Sequence, residues 1–286
     1  MYAITGITGK VGGTLARTLL AAGQPVRAIV RDKARGDAWQ KLGCEIALAS
    51  MEDTAALTAA FTGATSAFIL PPPDFDPAPG YPEARATIAS VAAALAAARP
   101  VRVLCLSTIG ADASEDNLLS QRTLMEQALL PLALPVTFLR PGWFLDNAAW
   151  DVAPARDSGV LRSFLMPLDK RFPMVSTLDV GRTAAELIQQ DWTGTRIVEL
   201  EGPARVSPND LAAAFAKVLG RPVEAETVPR DTWEALFRSQ GMQNPTPRIR
   251  MLDGFNEGWI SFKDRSRTIK GTIDVETVVA TLIAAA

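Results

Sequence analysis

The chain has 286 residues, 48% hydrophobic and 21% charged, with a net charge of −2. This is a globular composition with ample apolar material for a large core, and the near-neutral balance without a long basic run excludes an electrostatic footprint for nucleic acid. Histidine is absent and cysteine occurs only at 44 and 105, which removes Ser-His-Asp and Cys-His catalysis and argues against any metal site built on His or Cys.

In chain order, Tyr2-Ala3-Ile4 reads as the visible end of a buried strand and runs into Thr5-Gly6-Ile7-Thr8-Gly9-Lys10-Val11-Gly12. Val11, Leu15, Leu19 and Ala22 then recur at helical spacing until Gly23. Strand, glycine turn and helix form the context in which a glycine motif binds a dinucleotide. Gly6 would serve the tight turn, Gly9 the close approach of backbone to a pyrophosphate, and Gly12 the packing of helix on strand. Further strands are predicted at 25–31, 44–49, 66–70, 102–107 and 136–140, with helices at 37–42, 54–61, 82–98 and 118–130. Alternation of this kind predicts an α/β fold with a doubly wound parallel sheet. Both cysteines fall in the predicted strands, as free core thiols consistent with a cytoplasmic setting.

Beyond Pro141 the rhythm breaks. Helices are predicted at 178–190, 208–219, 231–240 and 275–286, and strands at 196–200 and 223–228. Ser207-Pro208 reads as an N-cap followed by proline at the first helical position. The expected division is a dinucleotide-binding domain over 1–145 and a small α/β cap over 146–286, packed where open sheets place ligands. No apolar stretch reaches the length of a membrane span without Pro, Gly or charge, and the N-terminus does not read as a secretory signal.

The second strand ends in Val30-Arg31-Asp32-Lys33-Ala34-Arg35. Arg31, with cations behind it, suits a 2′-phosphate and favours NADP(H); Asp32 stands where an acid takes the ribose hydroxyl of NAD. The cofactor residues expected at the strand ends are Thr5, Thr8, Lys10, Val11, Ser50, Leu70, Pro71, Pro72, Ser107 and Pro141. Ser107 and Thr108 end the fifth strand and are candidate catalytic groups, or simply residues that close a strand. Pro73, Ile109, Trp143, Phe144 and Phe255 are the candidate acceptor pocket, although aromatics at such positions are more often core. The expected partner is a small molecule, with room for a homodimer and none for nucleic acid or membrane.

TGITGKVG at the N-terminus, VRD after the second strand, LSTIGAD at 106–112, TFLRPGWFLDN at 137–147 and GFNEGWISF at 254–262 resemble the NmrA-like family of atypical short-chain dehydrogenase/reductases. The resemblance implies a Rossmann fold with a small C-terminal part and NADP(H) binding. It implies either a quinone, azo-dye or triarylmethane-dye reductase or a non-catalytic redox sensor. The Tyr-x-x-x-Lys pair of typical short-chain dehydrogenases is absent: Leu118 and Arg122 stand in its place, and Tyr81 has Arg85 four residues on. An always-charged arginine is a poor proton donor, which argues against alcohol dehydrogenase chemistry but not against hydride transfer to an electron-poor acceptor. Arg122, a candidate catalytic and cofactor residue, is expected either at the nicotinamide ribose, as the matching lysine is in relatives, or in an i,i+4 pair with Glu126. Asn147, six residues past Pro141, resembles a family position near the substrate pocket, or else caps a helix.

Overall fold

The computed structural model describes residues 1–264 and 266–286. Its first half alternates as the apolar runs require: β1 (Tyr2–Ile4), α1 (Lys10–Ala21), β2 (Val26–Val30), α2 (Lys33–Lys41), β3 (Glu45–Leu48), α3 (Thr54–Phe61), β4 (Ser66–Ile69), α4 (Pro82–Ala98), β5 (Arg102–Leu106), α5 (Ser120–Leu129) and β6 (Val136–Pro141). Every residue of β4 and β6 is buried, as central strands covered on both faces must be. Helix α2 starts four residues before the expected 37, because the Asp32 side chain accepts the Arg35 amide at 2.9 Å and caps it.

The second half contributes β7 (Trp143–Phe144), a 3₁₀ segment over Leu145–Asp151, α6 (Val152–Asp157), β8 (Val160–Ser163), β9 (Met174–Val175) and α7 (Thr177–Ile188). It continues with β10 (Thr195–Glu201), α8 (Pro208–Leu219), β11 (Glu224–Thr227), α9 (Trp233–Ser239), α10 (Thr246–Glu257), β12 (Ile269–Lys270) and α11 (Val275–Ala284). The main sheet has eight strands in the order β12-β10-β6-β5-β4-β1-β2-β3, and every pairing is parallel. This is the doubly wound α/β sheet, widened by two strands from beyond residue 145. Helix α10 lies where no element was expected; Pro245 stands at its cap and Pro247 in its first turn, where proline costs no hydrogen bond.

Two apolar layers sandwich the sheet. One joins Leu15 and Leu19 of α1 to Val180 and Ile188 of α7, and the other joins Phe61, Val91, Leu95 and Met125 over Phe138. Helices α1 and α7 touch through Gly181, where a Cβ would stand 2.5 Å from Thr14 Cβ. A third cluster, around Phe172, Phe215, Trp233 and Phe237, is the core of the remaining C-terminal elements. Buried Asp179 ties the C-terminal segment back to α7 by accepting the amides of Thr272 and Ile273 at 3.0 and 2.9 Å. No helix among the described residues is long and apolar enough to cross a membrane.

Candidate functional site

The link from β1 to α1 is built on three glycines with two different reasons for being glycine. Gly6 takes φ +63°, and a Cβ there would stand 2.8 Å from Leu70 Cδ2. A Cβ on Gly12 would stand 2.4 Å from Gly6 O, a backbone atom. Gly9 is different: its backbone is extended, its N–H donates to Gly6 O at 3.0 Å, and a Cβ would meet only that oxygen, at 3.4 Å. The protein's own atoms therefore require glycine at 6 and 12 but not at 9. The open side of Gly9 lies at the start of α1, whose first turn has no acid and whose cap accepts no side-chain hydrogen bond. Such a helix start offers unpaired amides and positive potential to a phosphate, and the chain's residues fit a dinucleotide there.

Around that cradle the expected residues separate. Thr8 is exposed at the rim and Val11 is buried in the core. The Thr5 hydroxyl donates to Phe68 O at 3.0 Å and accepts the Leu70 amide at 2.8 Å, splicing the end of β4 to the end of β1. Lys10 reaches Asp146 Oδ1 at 3.0 Å, and Asp146 also accepts the amide and hydroxyl of Thr177 at 2.8 and 2.7 Å. The glycine turn is thereby joined to the start of α7, a link that neither Lys10 nor Asp146 announces in sequence.

Arg31 is exposed at the end of β2 and has no ion-pair partner among the described residues. Asp32, by contrast, is used on both oxygens: Oδ1 accepts the Arg35 amide and Oδ2 pairs with Arg35 Nε at 3.1 Å. Ser50 Oγ accepts the Glu52 amide at 3.3 Å at the end of β3. Past β4, Pro71 is buried, Pro72 and Pro73 are exposed, and Pro71 O accepts from Arg122 Nη2 at 3.1 Å. These prolines, Gln121 and Arg122 line a cavity of about 100 Å³ against α4.

The i,i+4 pairing of Arg122 with Glu126 does not form. Glu126 instead takes Arg140 Nε at 2.9 Å and Nη2 at 2.6 Å, with both side chains buried. Arg140, in a strand buried at every position, takes both carboxylate oxygens, and Arg122 turns to the Pro71 carbonyl instead. Ser107, also buried, donates its hydroxyl to Glu126 Oε1. Thr108 beside it makes no side-chain hydrogen bond among the described residues. Tyr81 lies away from any such role: its hydroxyl is 2.8 Å from Asp116 Oδ1 and 3.0 Å from Asn117 O, and burial with Asp116 holds the phenol above its ordinary pKa.

Past β6, Pro141 O accepts the Ile109 amide at 2.8 Å, and Ile109 is buried. Trp143 and Phe144 point to opposite faces, as neighbours in a strand do. Trp143 meets Phe255 of α10 edge to face at 5.3 Å, whereas Phe144 packs with the layer under α1 and α7. Asn147 is exposed on the 3₁₀ segment. The fold therefore brings Trp143 and Phe255 together and leaves Phe144 and Asn147 apart from them. No group of three or more Cys, Asp or Glu that could hold a metal occurs among the described residues.

Three comparisons bear on this arrangement. The NmrA-like family model matches residues 2–258. A (4-alkanoyl-5-oxo-2,5-dihydrofuran-3-yl)methyl phosphate reductase from Streptomyces griseus is 29% identical over 81% of this chain and 78% of its own, and an NAD(P)H azoreductase from Xenophilus azovorans is 26% identical over 90% and 85%. The structure of an NADPH-dependent quinone oxidoreductase from Escherichia coli, complexed with NADPH, superposes with a TM-score of 0.82 at 24% identity, covering 99% of both chains.

Proposed function

The chain belongs to the NmrA-like family, and from that premise we propose that it is an NADPH-dependent reductase that transfers hydride to a small apolar, quinone-like or conjugated acceptor. The observation that carries the proposal is the cradle at Gly9, open at the acid-free start of α1, with unpaired Arg31 at the neighbouring strand end. Relatives named as reductases of azo, furanone and quinone compounds support the same reaction class. The bound dinucleotide would supply the hydride.

The chain's own residues divide the remaining work. Gly6 and Gly12 shape the turn, Gly9 and the first amides of α1 receive the pyrophosphate, and Arg31 takes the 2′-phosphate. Asp32 caps α2 and pairs with Arg35, while Arg31 keeps its charge unpaired among the described residues at this strand end, which supports NADP over NAD. Trp143 and Phe255 give the acceptor an apolar wall beyond β6. Among the described residues no side chain in the crevice offers a proton in the way a catalytic tyrosine does, so water protonates the reduced acceptor and the site acts by alignment. Residues 1–145 supply most of the dinucleotide half and 146–286 the acceptor side. A cytoplasmic setting, consistent with two free and buried thiols, and a homodimer complete the proposal.

The test is NADPH consumption by the purified protein with quinones, azo dyes and enones, run beside NADPH binding. Turnover with an acceptor is the expected result. Tight binding without turnover across the panel would refute the reductase and leave a sensor of NADP(H).

A further inference from the structure

Ser107 follows the last residue of β5 at the carboxyl edge of the sheet, beside the β4 end that carries Leu70 and Pro71. Ligands of open sheets lie along this edge, next to the switch point between β1 and β4. Cys105, two residues earlier, belongs to the layer under α4 and α5, and Ser107 turns to the same face and meets Glu126. Behind Glu126 the charges continue across the fold. Arg140 grips both carboxylate oxygens, reaches Asp112 at 3.5 Å, and Asp112 in turn pairs with Lys263 at 2.6 Å. The Ser107, Glu126 and Arg140 members are buried, while Asp112 and Lys263 lie at the surface.

A hydroxyl has one proton to give. Both Glu126 oxygens take guanidinium N–H donors of Arg140 and Oε1 accepts from Ser107 as well, so the Ser107 proton is committed to Glu126 and Ser107 has only lone pairs for any other group. We propose that Glu126 is a positioning residue that makes Ser107 an obligate hydrogen-bond acceptor for the nicotinamide half of the dinucleotide. Ser107 then takes a hydrogen bond from an O–H or N–H of that half and does not protonate the substrate. The inference rests on the NADPH reading above. It also explains why a buried ion pair lies directly behind a strand-end serine, where an apolar pair would hold α5 to β6 as well.

The test is a double-mutant cycle on the full chain, reading NADPH Kd by fluorescence titration together with kcat and the KM for NADPH with a benzoquinone. Ser107→Ala is expected to weaken NADPH binding about fivefold, the worth of one net hydrogen bond. The loss should appear in Kd and KM more than in kcat, and Ser107→Thr, which keeps the hydroxyl, should recover most of it. The paired replacement Glu126→Met/Arg140→Met removes both charges together and should weaken NADPH binding as Ser107→Ala does, with no further loss when the two are combined. Should that pair fail to fold, Glu126→Gln/Arg140→Met, which also leaves no unpaired buried charge, takes its place. Additive losses, or unchanged binding in Ser107→Ala, would overturn the positioning role alone. A collapse of kcat in Ser107→Ala at unchanged Kd would overturn it by making Ser107 a proton donor. Failure of the wild type to bind NADPH would overturn the dinucleotide reading itself and this inference with it.

Discussion

Alanine at Gly9 and at Gly12 should produce opposite phenotypes, because one glycine serves the ligand and the other the fold. In Gly12→Ala the new Cβ would stand 2.4 Å from Gly6 O, 2.8 Å from Gly6 C and 3.1 Å from Ile7 Cα. All three are backbone atoms, so α1 has to move off the turn. Overpacking of this kind costs about 1–3 kcal/mol. For a chain of this size that lowers Tm by roughly 2–10 °C. In Gly9→Ala the backbone, at φ −88° and ψ 174°, already suits alanine, and the Cβ meets only Gly6 O at 3.4 Å. Relief of unfolded-state entropy then makes the variant as stable as the wild type or more so, by about 0.4–1 kcal/mol. The same methyl occupies the path of the pyrophosphate and should cost at least one charge-assisted hydrogen bond, about 1.5–3 kcal/mol, or roughly 10- to 150-fold in NADPH affinity. Thermal unfolding without ligand and a fluorescence titration with NADPH separate the two effects. Gly9→Ala that melts as low as Gly12→Ala, or that binds NADPH like the wild type, would refute the assignment of Gly9 to the ligand.

Arg31→Ala should weaken NADPH binding by about 1.5–3 kcal/mol and leave NADH nearly unchanged, since only the former carries the 2′-phosphate; equal losses for both in parallel titrations would remove Arg31 from that role. Asp179→Ala orphans the amides of Thr272 and Ile273 and should lower the urea-unfolding free energy by at least about 2 kcal/mol, with a change inside the scatter of surface variants as the contrary result. Burial pushes the Asp151 carboxyl up to about 6, so the folded state holds that proton more tightly than the unfolded chain and stability falls as pH rises from about 4 to about 6. Asp151→Asn should therefore stabilise the protein by roughly 1–3 kcal/mol at pH 7.5 and by nothing near pH 4; a gain independent of pH would show that the charge is not its source.

The fold was legible wherever the apolar pattern is long enough to have a period. Strands β1 to β6 and helices α1, α3 and α4 lie within a residue or two of the boundaries their sequences imply, because short apolar runs bounded by turn residues mark the strands and apolar residues at helical spacing mark the helices. In the second half α7, α8, α9, α11, β10 and β11 also lie close to their expected places, and other elements escape for two physical reasons. Strands β7, β9 and β12 have two residues each, too few to show alternation, and exist only because a neighbouring strand lies beside them. Helix α10 hides behind Pro245 and Pro247, whose effect depends on whether they stand before, within or beyond the first turn.

The site divides along the same line. What is set by adjacent residues could be read directly: the glycine turn, and the local pairing of Asp32, which caps α2 with the Arg35 amide 2.9 Å away. What is set by partners across the fold could not. Glu126 stands four residues from Arg122 and 14 from Arg140, and helical spacing alone favours the nearer guanidinium. The farther one wins because Arg140 ends a strand buried at every position, where an unpaired cation is far more costly than the rest of the i,i+4 pair is worth. That choice leaves Arg122 to the Pro71 carbonyl and places a held carboxylate behind Ser107, so two of the three residues that sequence marks as catalytic are set by one arginine in β6. A charged residue closing a run such as Val136-Thr137-Phe138-Leu139 is therefore the signal to look for: it requires a buried counter-charge, and whichever residue supplies it is withdrawn from every local pairing its own helix offers.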